Sequence, residues 1–323
     1  MNNSTSSHLE SILLATVGIQ TVAVSIYAVF LVVVVVLNAL AAFSVYTAKS
    51  DHSAAFRVYL LHLFVLNIAA SLIIVPLDLL NILHTTSLTF GQCAFYTLSN
   101  WLLFAVMAHS HLLITINRLL AVIRPYFYRR SHSVRAAISS CALTWMYVLL
   151  WLLPLFVYRM ASHPVDCLLD IIDIPAAISR SVVTWEMMTF VAVLFLPVIG
   201  VMVLYPVIQW RRQAFLRVRP ITDMLSQDSG RSEGSGISHR RRAVSTPDPR
   251  TFRVLMALTG SLACFWLPSL IWELVQPLVQ HSAAAQVFDT VNVIFDVLWL
   301  VQALLDPVLL IFAFRGSRRN LLR

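Results

Sequence analysis

Long runs of apolar side chains alternate with short polar breaks along this 323-residue chain. Seven runs, at 17–47, 56–84, 91–122, 135–158, 182–210, 252–278 and 287–313, are long enough to cross a bilayer. About 20 apolar residues, rising 1.5 Å each, span the roughly 30 Å of hydrocarbon. The pattern predicts an all-α membrane protein, a seven-transmembrane helix bundle. Pro76, Pro154, Pro197, Pro206, Pro268 and Pro307 fall inside the runs. Bundled membrane helices tolerate such prolines because neighbours re-satisfy the freed backbone groups. The longest polar break, 214–249, is dense in Gly, Ser and charge and predicts a flexible loop. Residues 1–16 read as a tail ahead of the bundle, which occupies 17–313. At the other end, 314–323 set Phe314, Leu321 and Leu322 among Arg315, Arg318 and Arg319, the pattern of a short amphipathic eighth helix on the membrane surface.

Composition agrees with a lipid environment. Apolar residues make up 59% of the chain and charged residues 12%, against about a quarter charged in soluble domains. The net charge of +8 raises nucleic acid as a partner, so the placement of the charge has to decide. All but Arg159 and Arg180 of the 23 basic residues lie at the exits of the first, third, fifth and seventh runs or in the loops between them. Lys and Arg accumulate on the cytoplasmic side, so the N-terminus is expected outside and the basic face against inner-leaflet lipid. Nucleic acid is not an expected partner. The first run is read as an uncleaved signal-anchor, consistent with plasma-membrane insertion. Two overlapping glycosylation sequons, at Asn2 and Asn3, fall on the expected outer side. Cys141 and Cys264 lie within runs, whereas Cys93 and Cys167 lie on the oxidising side. That topology favours a Cys93–Cys167 disulfide over two free thiols.

Polar residues within the runs are aligned. Asn100 and Arg118 are 18 residues apart, about five turns, so they share one face of the third run about 27 Å apart. His111 lies within about 20° of that face. Asn67 and Asp78, 11 residues apart, share a face of the second. Polar side chains in a membrane helix face the bundle interior or a cavity, so one internal polar axis is expected.

Each run also carries a landmark: Asn38, then Asn67, then Cys93 with Asn117-Arg118-Leu119, then Trp145 with Pro154, Pro197 with Tyr205, Phe265-Trp266-Leu267-Pro268, and Asp306-Pro307. In this order, with 25 residues from Cys93 to Arg118, the chain resembles the rhodopsin-like G-protein-coupled receptors over nearly its whole length. The resemblance implies a cell-surface receptor whose agonist swings the inner end of the sixth helix outward about Pro268. That motion opens a cleft beside Arg118 for a heterotrimeric G protein. It assigns Asn117, Arg118, Tyr205, Trp266, Pro268, Asp306 and Pro307 to the coupling switch. It also implies no enzymatic activity and no cofactor apart from a candidate sodium ion near Asn67 and Asp306.

Three departures stand out. Asn117 replaces the carboxylate usual beside Arg118, with Asp248 as the candidate substitute, which predicts a weakened inactive-state lock and ligand-free activity. Asn67 and Asp306 look like a reciprocal exchange that keeps an amide and a carboxylate facing each other, with His111 or sodium as the cation of the cluster. Leu310 stands where the resemblance expects Tyr.

The outer half is acidic, with Asp78, Glu186, Glu273, Asp289 and Asp296 on the runs and Asp166, Asp170 and Asp173 in the loop after the fourth. It should attract cations, and a basic peptide is the favoured ligand, with an amine behind it. The expected pocket comprises Asp78, Asn100, Trp101, Thr189, Glu273 and Asp296. Retinal is excluded because Lys49 is the only lysine. A transporter or channel would show repeated halves or helices broken mid-membrane, and neither is visible. A receptor that binds ligand without G-protein coupling is the remaining alternative, motivated by Asn117, Leu119 and Leu310.

Overall fold

The computed structural model describes residues 3–47, 54–82, 89–131, 133–162, 184–228, 249–279, 291, 294 and 298–311. Among them there are helices and no strands. The membrane helices are α1 (Asn3–Thr47), α2 (Ala54–Ile82), α3 (Phe90–Ile123), α4 (Val134–Ser162), α5 (Leu196–Asp228, continuing a helix begun at 184), α6 (Pro249–Val279) and α7 (Leu298–Ile311). Six contain stretches long and apolar enough to cross a bilayer, and the described part of α7 is a shorter apolar helix.

Local chemistry sets the boundaries. Thr89 caps α3 in a reciprocal box: its hydroxyl accepts the Gln92 N–H, and the Gln92 side chain accepts the Thr89 N–H. The helix stops at Arg124, which leaves the helical region (φ −131°, ψ 67°) just ahead of Pro125. Pro125 then opens the short helix Pro125–Ser131, at the position where a missing N–H costs nothing. Ser133 caps α4 by accepting the Ala136 N–H.

Two boundaries differ from the expectation. The first helix begins at Asn3, so it runs upstream through the segment read as a tail; its apolar span starts only at Val24. The fifth continues to Asp228, well into the segment read as a loop from 214. Ala214 to Arg219 carry no helix breaker, although Pro220 falls within the continued helix.

The middle of the bundle is α3, packed against α2, α4 and α5. Side chains such as Leu150 and Leu143, 74% and 68% exposed, point away from the protein. That is the arrangement of a surface whose solvent is lipid. Inside are two apolar clusters. The outer one gathers Tyr27, Leu66, Met107, Leu262, Trp266 and Trp299, and the inner one Ala41, Phe64, Ile114, Leu258 and Leu310. On α1, α3, α6 and α7 a polar residue marks the changeover between them: Asn38, His111, Ser261 and Asp306, all buried. On α2 the corresponding residue is Asn67.

Ahead of α5, Val191–Phe195 form a π-helical turn in which the Leu196 N–H reaches back five residues to the Val191 carbonyl. The Tyr147 hydroxyl of α4 donates to the Ala192 carbonyl in that turn at 3.4 Å. Further along α5, Gly200 lets the helix close on α3, since a Cβ there would sit 3.1 Å from Leu112 Cδ1.

Candidate functional site

The outer cluster lines an open cavity of about 200 Å³. Asn100, Trp101 and Phe104 come from α3, Phe190 from the helical segment leading into the turn before α5, Leu194 from that turn, Phe265, Trp266, Ser269 and Glu273 from α6, and Trp299 from α7. Phe104 meets Trp299 and Trp266 edge-on, with ring centroids 5.0 and 5.8 Å away. Trp101 meets Phe190 in the same way at 6.2 Å. This aromatic wall gives cation–π as well as apolar contacts. Polar groups of the lining residues are few: the Ser269 hydroxyl donates to the Phe265 carbonyl, while the Asn100 carbonyl and the Trp266 indole N–H are buried without a hydrogen-bond partner among the described residues. Glu273, two turns beyond Trp266 towards the outside, supplies the carboxylate.

Of the residues expected in the pocket, Asn100, Trp101 and Glu273 therefore share one cavity with Trp266. Asp78 lies off it, accepting a 2.6 Å hydrogen bond from the Tyr96 hydroxyl. Thr189 is fully buried and is not part of the lining. Asp296, Asp289 and the acidic loop residues lie outside the described residues.

Below the cavity lies the polar layer. The Asn38 amide donates to the Val34 carbonyl at 2.9 Å and to the Ala303 carbonyl of α7 at 3.1 Å, and its oxygen accepts from the Asn67 amide at 3.1 Å. One turn further along α7, Asp306 faces His111 of α3, with Nε2 and Oδ2 3.5 Å apart. Its other oxygen accepts the Ser261 hydroxyl of α6 at 3.3 Å. The expected direct pairing of Asn67 with Asp306 is thus replaced. Asn38 stands nearer to Asn67 across the α1–α2 contact, and Asp306 turns instead to α3 and α6. Among the described residues Asp306 is faced by His111 and Ser261, and the Asn67 amide nitrogen by Asn38.

A second tie, absent from the sequence reading, joins three helices. The Trp145 indole N–H of α4 donates to His62 Nε2 of α2 at 3.0 Å. An indole N–H can only donate, so the His62 proton sits on Nδ1 and is given to the Ser110 hydroxyl of α3 at 3.0 Å. Ser110 in turn donates to the Val106 carbonyl at 2.8 Å. A His inside an apolar run was its only sequence signal.

At the inner end, the Arg118 guanidinium lies over the Phe56 ring, 3.3 Å from its centroid. The Asn117 side chain is buried, and its amide has no hydrogen-bond partner among the described residues. Tyr205 packs on the inner cluster and accepts a hydrogen bond from Gln209. Leu310 is buried in the same cluster. Pro268 lies within α6, and Pro307 is buried in α7. Cys93 is buried at the outer end of α3; Cys167, Asp248 and Asn2 lie outside the described residues, and Asn3 opens α1.

Bundle, outer cavity and buried polar layer are the parts of a transmembrane receptor. The family profile described as 7 transmembrane receptor (rhodopsin family) matches residues 37–310, most of the chain. The chain belongs to that family. No curated protein matches it closely enough to count as a relative. Membership makes this a multi-pass membrane receptor.

Proposed function

We propose that this receptor sits in the plasma membrane with its N-terminus outside, binds an extracellular basic peptide, and activates heterotrimeric G proteins. What supports this most is the cavity: an aromatic wall, two unused polar groups and the Glu273 carboxylate. A lysine, arginine or amino-terminal group of a peptide supplies the cation that this lining suits. A Cys93–Cys167 disulfide would hold the long outer loop over the site. Agonist contact with Trp266 favours a state in which the inner end of α6 swings outward about Pro268 and exposes Arg118. The ligand acts only through its differential affinity for the two states. His111 is the partner of Asp306 in this scheme.

The test is G-protein activation in cells, with and without a library of basic peptides, comparing wild type with Arg118→Ala and Glu273→Gln at matched surface expression. Signal lost in Arg118→Ala, and peptide potency lowered about tenfold or more in Glu273→Gln, are the expected results. Full activity in Arg118→Ala would overturn the coupling scheme, and unchanged potency in Glu273→Gln would remove the basic peptide. The unpartnered Asn117 amide favours a second reading, a receptor that binds ligand without coupling. Peptide binding with no signal in any G-protein class would establish it.

A further inference from the structure

We propose that His111, Asp306 and Ser261 form a latch across α3, α7 and α6 that holds the receptor closed, so that α6 swings only when the latch opens. The latch presupposes the α6 motion proposed above. Its three side chains come from the three helices that such a motion must move apart, and each is buried, His111 at 5% and Asp306 at 1% exposure. Asp306 reaches His111 with one oxygen, and its other oxygen lies 3.3 Å from the Ser261 hydroxyl, whose one proton is shared with the Leu258 carbonyl of α6 at 2.9 Å. Whether the shared proton sits on the imidazole or on the carboxyl, the pair is neutral and one member can donate to the other. Ser261 keeps the Leu258 carbonyl when α6 moves, but the Asp306 oxygen it leaves loses a donor where neither water nor lipid can replace it.

Position strengthens the case. Seven residues, about 10 Å of helix, separate His111 from Arg118. One turn along α7, the Ala303 carbonyl is held by Asn38, which anchors that helix to α1 and α2. Asp306 is therefore fixed from behind, and the moving partner is α6. The latch also acts at the changeover between the two apolar clusters, where Leu262 belongs to one and Leu258 to the other. With Asn117 in place of a carboxylate beside Arg118, the latch adds a restraint at the membrane centre.

Two readouts test this in the full-length receptor: ligand-free G-protein activation per surface receptor, and a conformational probe. The probe is an environment-sensitive fluorophore on a cysteine placed at exposed Met256 of α6, with Cys141 and Cys264 replaced by Ala. His111→Leu should raise ligand-free signal roughly fivefold or more and shift the probe spectrum. His111→Gln, which restores a polar partner for Asp306, should return both towards wild type. Ser261→Ala, a smaller change, should act in the same direction and serves if His111→Leu does not reach the surface. Less stable receptor with unchanged signal and unchanged probe in both variants would overturn the latch. A shifted probe with no G-protein signal in any variant would keep the latch and overturn the coupling scheme.

Discussion

Replacing His62 with Leu should loosen the bundle by a calculable amount. His62 accepts the Trp145 indole proton at 3.0 Å and gives its own to Ser110 at 3.0 Å. Leucine does neither. Ser110 keeps its bond to the Val106 carbonyl, so its loss is small. The indole N–H of Trp145 is left without a partner, at a cost of about 1–3 kcal/mol for a buried donor. Interhelical hydrogen bonds measured in membranes average nearer 0.6 kcal/mol, so about 1–2 kcal/mol is expected in total.

The assay is thermal unfolding of the detergent-solubilised receptor, with all variants heated at one rate because such transitions are kinetic. At about 2–4 °C per kcal/mol, His62→Leu should melt roughly 2–8 °C below wild type. His62→Asn can accept from Trp145 and donate to Ser110, and should recover most of the loss. In the His62→Leu background, Trp145→Phe removes a donor already orphaned and should cost less than it does alone. If His62→Asn melts as low as His62→Leu, ring packing rather than the proton chain holds these helices, and the reasoning fails.

Other substitutions test other parts of the bundle. Gly200→Ala should be tolerated, since Leu112 Cδ1 at 3.1 Å needs to yield only a few tenths of an ångström, whereas Gly200→Leu should abolish surface expression, read by flow cytometry. Thr89→Ala removes the cap of α3 and should cost about 1 kcal/mol, read as a lower melting temperature that Thr89→Ser restores. Tyr147→Phe deletes the donor to the Ala192 carbonyl and should raise hydrogen exchange at the π-helical turn while leaving the α3 cap unchanged.

Much of the architecture was legible because lipid imposes a simple rule, that a spanning helix is apolar nearly all round. The pocket was partly legible for a related reason. Asn100 and Trp101 on α3, and Trp266 and Glu273 on α6, follow helical spacing, and spacing alone fixes which residues of one helix share a face. Contacts between helices were harder to read. Asp78 shares a face with Asn67 yet is taken by Tyr96, and Asn67 is taken by Asn38 instead of Asp306. Those choices depend on helix rotation and depth to within an ångström or two, which no single-helix periodicity carries. The His62 tie was missed for the same reason, because its partners lie on two other helices.

The π-helical turn before α5 has a consequence for how this receptor is compared with others. A π turn holds one residue more than the α turn it replaces, so everything upstream is rotated by about 100° relative to an unbroken helix. Phe190 reaches the cavity and Thr189 the interior in that rotated frame. A relative whose helix lacks the turn would present different positions inward, one residue out of step before 191 and in step after 195. Ungapped alignment through this helix would then pair inward-facing residues with lipid-facing ones. A single-residue gap placed within 191–195 restores the correspondence, and pocket residues should be transferred between such sequences only on that footing.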